Sequence, residues 1–187
     1  MKMNTLGGIL LGAMFALGWQ TSMAAEAGKT AAADLSRNAN ASLQQLYASV
    51  PLAKSLGPKA NAILVFPTVT KAGLGVGGQY GEGALLQKGK AVAYYNTAGA
   101  SVGLQAGAQQ YSYALIFMNA KARGQLDKAE GFEVGVGPTV VVVDEGMAKT
   151  LTTTTAKDDI YAFIYGQKGL MAGLGIQGNK ITKINPK

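Results

Sequence analysis

The 187-residue chain contains neither cysteine nor histidine. Without cysteine there can be no disulfide, no thiolate nucleophile, no cysteine-held metal and no lipid-acceptor cysteine of the lipoprotein kind. Without histidine the commonest general base and the commonest metal ligand are missing. The serines therefore have no imidazole to activate them, and none stands in a Ser-x-x-Lys spacing. Acidic residues are few, ten against seventeen basic ones. Their two adjacent pairs, Asp144-Glu145 and Asp158-Asp159, would point to opposite faces of a strand and read more simply as solvated turns. Neither pair has the spacing of an EF-hand loop. A carboxylate hydrolase would need two acids about 5–10 Å apart in one cleft. No catalytic residue, cofactor or metal site is expected.

Hydrophobic residues make up 48% of the chain and charged residues 14%, which excludes both a disordered chain and a polytopic membrane protein. The length suits one domain with a single core. The net charge of +7 rests on lysines, all basic residues but Arg37 and Arg123 being of that type, and favours anionic partners. Nucleic acid is not expected, because the lysines are scattered and form no basic stripe.

At the N-terminus Lys2 precedes an apolar run, Leu6 to Trp19, too short to span a bilayer comfortably, and then Ser22-Met23-Ala24. This is the pattern of a cleavable export signal over residues 1–24, cut after Ala24 with Ala25 as a near alternative. The mature protein would be periplasmic or secreted. Residues 25–33 read as a linker, and residues 34–187 as one domain.

Asp34 is placed to cap a helix in which Leu35, Ala39, Leu43, Leu46, Tyr47 and Val50 recur at helical spacing. Pro51 breaks it, and a short second turn ends at Gly57-Pro58. Its polar face is hardly basic, so packing on the domain is favoured over lying on a membrane. From residue 61 the pattern turns to strands: Ala62–Phe66, Gly73–Leu86, Ala91–Tyr95, Tyr111–Phe117, Phe132–Val136, Thr139–Val143, Ile160–Tyr165, Leu170–Ile176 and Lys180–Ile184. Lys88-Gly89-Lys90 reads as a hairpin turn, and Asn119 as the cap of one further short helix. The fold class is α+β, mainly antiparallel β: a small glycine-rich curled sheet, barrel- or sandwich-like, with an N-terminal helix.

Gly73-x-Gly75-x-x-Gly78 and Gly173-x-Gly175-x-x-Gly178 both fit the dinucleotide fingerprint by spacing, but no helix opens after either, as pyrophosphate binding requires. The twenty-six glycines instead mark bends and close backbone approaches in a tightly curled sheet. The run Thr152–Thr155 reads as a connection or edge strand. The tyrosines alternate with apolar residues, as core packing demands. Lys88, Lys90, Lys168, Lys180 and Lys183 are the candidate headgroup contacts if they cluster, and a solvated basic face if they do not.

Four segments carry a family resemblance: AILVFPTVTKAGLGVGGQYGEGALL (62–86), YYNTAGASVGLQAGAQ (94–109), VGVGPTVVVVDEG (134–146) and AFIYGQKGLMAGLGIQGNKI (162–181). In this order they resemble the SYLF domain, the lipid-binding module also known from yeast actin-patch regulators. The resemblance implies anionic-lipid or membrane-surface binding, no enzyme activity and no cofactor. Actin is not expected as a partner in a bacterial envelope, whereas envelope proteins are an alternative class. In eukaryotic members lipid binding draws on a basic amphipathic N-terminal helix, a position held here by the weakly charged Asp34–Val50 segment. A structural or protein-interaction module without lipid ligand stays open beside the lipid reading.

Overall fold

The computed structural model describes residues 12–128, 130–134, 140–143, 157–169, 176 and 178–186. Helix α1 (Gly12–Ser49) is followed by the short α2 (Pro51–Leu56) and a 3-10 turn at Gly57–Lys59. Strands β1 (Ala62–Gln87) and β2 (Lys90–Phe117) come next, then α3 (Ala120–Arg123), which runs on as a 3-10 turn to Asp127. Strands β3 (Phe132–Glu133), β4 (Val140–Val143), β5 (Ile160–Gly169) and β6 (Lys180–Ile184) complete the described elements. They form one mostly antiparallel sheet curled into a half-barrel, as the α+β expectation required.

Helix α1 does not begin at Asp34. The stretch Ala25–Ala33, read as a linker from its composition, is helical, because alanine is the strongest helix former and nothing there interrupts the ladder. The helix ends where Val50 adopts extended geometry (φ −125°, ψ 97°) ahead of Pro51, whose ring disfavours the helical region for its predecessor. Pro51 then opens α2, where its missing N–H costs nothing. Ala39, Leu43 and Leu46 form the buried stripe of α1, which packs on the sheet.

Strand β2 organises the sheet. One edge pairs with β1 from Ala62↔Phe117 to Gln87↔Lys90. The other edge takes β6 at Tyr94–Ala98 and β5 at Gln109–Phe117. β3 continues from β6, and β4 joins β5 in the one parallel pairing among the described strands. The β1–β2 turn is Lys88-Gly89, with both φ angles positive (50° and 78°), the two-residue geometry that matches strand twist.

Period-2 alternation divides the core. Tyr111, Tyr113, Leu115 and Phe117 face the inside of the half-barrel with Leu64, Phe66 and Ile160. Ala114 and Ile116 face outward with Ile63, Val65 and Phe163, beneath α1 and α2. The helices therefore cover an apolar outer face that the sheet could not leave in water.

Four of the short strands expected from sequence are parts of two long ones. Pro67, which suggested a strand end, and the glycines read as bends are absorbed as irregularities between Phe66 and Val69 and between Leu74 and Val76. At the second of these β1 bends sharply, and a methyl group added at Gly73 would lie 2.8 Å from the Val76 carbonyl oxygen. The returning limb of β1 then lies over the first. A methyl group at Gly81 would come within 2.7 Å of the Thr68 carbonyl oxygen, and one at Gly83 within 2.7 Å of the Phe66 ring. Only hydrogen atoms fit between the limbs, so these glycines set the curvature. The Gly73–Gly78 fingerprint lies in this bend and leads into strand, not helix. Its second copy falls outside the described residues except for Gly178, as do most of Leu170–Ile176, Asp144-Glu145 and Thr152–Thr155.

Gly83→Ala should lower unfolding free energy by about 1–3 kcal/mol, the usual cost of overpacking. Gly78→Ala, whose added carbon meets nothing nearer than 3.7 Å, should stay within about 0.5 kcal/mol of the parent. Urea unfolding of the two variants checks the contrast, and equal losses would remove curvature control from Gly83.

Candidate functional site

The five lysines singled out by sequence are all exposed and occupy three different places in the sheet. Lys88 and Lys90 stand together at the β1–β2 tip. On β6, Lys183 pairs opposite Tyr95 and Lys180 opposite Ala98. An odd separation along a strand turns these two side chains to opposite faces. Lys180 shares a cleft of about 200 Å³ with Lys128, Glu130 and Glu133, so its surroundings are not purely basic. Lys168 lies near the end of β5, opposite Gln110 of β2. Arg37 pairs with Asp34 and Arg123 with Asp127, and none of the five candidate lysines is in an ion pair among the described residues.

The acidic pair Asp158-Asp159 is exposed and has structural work. Asp159 accepts a 2.6 Å hydrogen bond from the Asn119 amide. Asn119 in turn caps α3, its side-chain oxygen accepting from Ala122 N at 2.8 Å. Among the described residues no group of three acidic side chains is arranged to hold a metal.

Sequence reasoning did not foresee a buried polar network inside the half-barrel. Tyr111 donates to Gln79 Oε1 at 2.6 Å, and the Gln79 amide donates to Asn179. Tyr113 donates to Thr97 Oγ1 at 2.6 Å, and Asn179 Nδ2 reaches the same hydroxyl at 3.3 Å. The tyrosine rings supply the apolar bulk, with Phe66 stacked on Tyr113 at 4.6 Å between centroids. Burial pushes Tyr113 strongly upward and Tyr111 up to about 12, hydrogen bonds opposing the shift only in part. Tyr165, buried at the α1 contact and hydrogen-bonded to Ser42 at 2.8 Å, is likewise pushed up to about 12 by burial. Such groups stay protonated and serve as hydrogen-bonding hydroxyls.

Two concavities bear on binding. A shallow groove of about 680 Å³ beside the β1 bend is lined by small and neutral residues, among them Ala72, Gly78 and Gly99. A cavity of about 310 Å³ lies between α1 and the sheet, lined by Asn38, Ser42, Gln45, Thr68, Gln110 and Lys168 among others. It sits where the ladder is disturbed on both sides of β2. The β1 irregularity at Pro67-Thr68 lies across one edge, and the shift between Gln110 and Ser112 lies across the other. Ser112 ties the strands there by donating to the Pro67 carbonyl at 2.7 Å. Of the five sequence candidates, Lys168 alone reaches this cavity. The polar residues of α1 looked like a solvated face in sequence, and only the docking of the helix turns them into a wall.

The described residues thus bring together a curled sheet, a packed helix, buried protonated tyrosines, a polar cavity and a shallow groove. Residues 98–186, from the middle of β2 to near the chain's end, match the family model Ysc84, described as a Las17-binding protein actin regulator. That stretch is similar to the Ysc84, or SYLF, family, the one the chain's motifs resemble. The match spans just under half of the chain and leaves α1 and β1 outside it. No curated protein matches the chain.

Tyrosine in its ordinary state titrates near 10, whereas Tyr111 and Tyr165 keep their protons to about 12 in the folded protein. Between these values the unfolded chain releases protons that the folded one retains. The stability from these buried hydroxyls is thus complete below pH 10 and is lost as pH rises through about 12. Denaturant midpoints measured across that range should fall steadily, and Tyr165→Phe should flatten part of the fall. A profile identical in parent and variant would contradict the assignment.

Proposed function

We propose that this protein is a non-enzymatic module that binds anionic membrane surfaces in the bacterial cell envelope. The observation that carries this reading is the unpaired basic surface. Lys54, Lys59, Lys88, Lys90, Lys168 and Lys183 are exposed, and none takes part in an ion pair among the described residues. The family-model match over residues 98–186 supports it, because that domain is related to lipid and actin regulators. Actin itself has no place in this compartment. Each lysine close to a charged leaflet contributes on the order of 1 kcal/mol. The hairpin tip offers two on a turn held rigid by its own geometry.

Export through the residue 1–24 segment belongs to the same proposal. Cleavage after Ala24 would leave in place the buried α1 stripe found among the described residues, Ala39, Leu43 and Leu46. No helix among the described residues is long and apolar enough to cross a membrane. A second reading, an envelope protein partner without lipid, draws on Val76 and Tyr80, which are 69% and 50% exposed near the β1 bend.

Sedimentation with vesicles should show salt-sensitive binding to anionic but not neutral lipid. Lys88→Asn combined with Lys90→Gln keeps the turn geometry and should weaken binding by roughly 30-fold, about 2 kcal/mol for two lysines. Binding to neither vesicle would shift the proposal to the protein partner. N-terminal sequencing of the protein from a periplasmic extract should begin at Ala25, and an intact Met1 there would refute cleavage.

A further inference from the structure

The cavity between α1 and the sheet has a composition that selects its guest. Of the residues lining it, Lys168 alone is charged, and no carboxylate opposes it. Asn38 and Gln45 on α1, Gln110 on β2 and Thr68 on β1 add amide and hydroxyl groups that both donate and accept. An apolar guest would leave these groups without partners, at the cost of their desolvation. A single cation among paired donors and acceptors instead matches one phosphate attached to a hydroxylated carbon skeleton.

Size and construction agree. About 310 Å³ lies at the small end of ligand cavities, enough for a headgroup and not for an acyl chain. The cavity exists because β2 meets a ladder irregularity on each side at the same level. Irregularities of this kind re-aim side chains and are enriched beside functional sites. Asn38, Ala41, Gln45 and Lys168 are exposed at its rim, so a headgroup enters from the surface with its tail outside. The α1 wall is fixed by the Ser42–Tyr165 hydrogen bond at 2.8 Å.

We infer that this cavity is a specific site for a phosphate-bearing polyol, with Lys168 on the phosphate and Asn38, Gln45 and Gln110 on the hydroxyls. Its lipid source rests on the membrane reading given above, whereas the chemistry of the cavity does not. The surface lysines then supply attraction to any anionic leaflet, and the cavity supplies choice among headgroups.

The full-length protein is titrated with glycerol 3-phosphate, and its sedimentation is compared on phosphatidylglycerol and phosphatidylserine vesicles of equal charge. The parent should bind glycerol 3-phosphate and prefer phosphatidylglycerol. Ala41→Trp, which fills the cavity from α1, and Lys168→Ala should each weaken glycerol 3-phosphate binding about tenfold or more. Both should also erase the lipid preference, Ala41→Trp with salt-sensitive binding to the two vesicles at the parent level and Lys168→Ala, which removes one surface charge, with binding weakened equally on both. Thermal unfolding checks each variant, and Lys168→Ala carries the test alone if the tryptophan disturbs folding. Glycerol 3-phosphate binding that both variants lose, without binding to any vesicle, would uphold the cavity with a soluble phosphate ester as its source and defeat the membrane reading. Equal binding to both vesicles with no affinity for glycerol 3-phosphate, or unchanged affinity in both variants, would overturn the cavity assignment and leave the membrane reading standing.

Discussion

The β1–β2 pairing is the constraint on which the other elements depend. Two strands of 26 and 28 residues, paired from Ala62↔Phe117 to Gln87↔Lys90, are too long to remain flat. Strand twist and the bend at Gly73–Gly77 fold the ribbon over, and the glycine contacts of Gly81 and Gly83 allow its limbs to touch. Once the ribbon is bent, the free edge of β2 is divided into two short segments. Tyr94–Ala98 receives β6, and Gln109–Phe117 receives β5. The apolar outer face left by Ala114, Ile116 and Phe163 then requires α1, and α1 brings the polar residues that wall the cavity.

The interior and the cavity solve opposite problems with similar groups. Inside the half-barrel, Gln79, Asn179, Thr97 and the two tyrosines complete one another's hydrogen bonds, so the network fixes the packing of a core that apolar contacts alone would leave less specified. At the α1 junction only part of the polar complement is used internally. Ser42 is tied to Tyr165 and Ser112 to Pro67, while Asn38, Gln45 and Lys168 stand at an opening to solvent. The same residue types therefore complete one another's hydrogen bonds where they are enclosed and stay open to solvent where they are not.

Local signals carried much of this fold in the sequence. The Lys88-Gly89 turn, the Asn119 cap, the Pro51 break and the two apolar faces of Tyr111–Phe117 each depend on neighbours within a few residues, and each is found where local chemistry puts it. The readings that missed were those in which pairing outweighed propensity. Pro67 reads as a strand end in isolation, but it sits in an uninterrupted strand because β2 supplies a partner across the irregularity there, whereas the glycines of residues 73–83, read as bends within a strand, are found as such. The helix start at Asp34 failed for the opposite reason, a strong cap residue having no effect inside an alanine-rich helix that is already running. Of the candidate site, sequence showed the lysines but not their grouping. Whether Lys168 meets Asn38 and Gln45 depends on the register of β5 against β2 and on the docking of α1 against β5, where Ser42 meets Tyr165 across 123 residues of sequence.

The docked helix also bears on how such a domain can meet a membrane. Eukaryotic members of the resembled family use a basic amphipathic helix for that contact, but the apolar stripe of α1 is already committed to the sheet through Ala39, Leu43 and Leu46. A bilayer could repay the helix for leaving, because lipid and protein interior are both apolar. It could not repay Ile63, Val65, Ile116 and Phe163, which the departing helix would expose on the outer face of the sheet. Full burial of side chains of this size is worth roughly 1.5–3 kcal/mol each. Undocking therefore carries a cost that the helix's own insertion does not offset. A membrane contact that keeps the fold intact must use what already faces outward, the exposed lysines, those of the hairpin tip among them, and the rim of the cavity under α1.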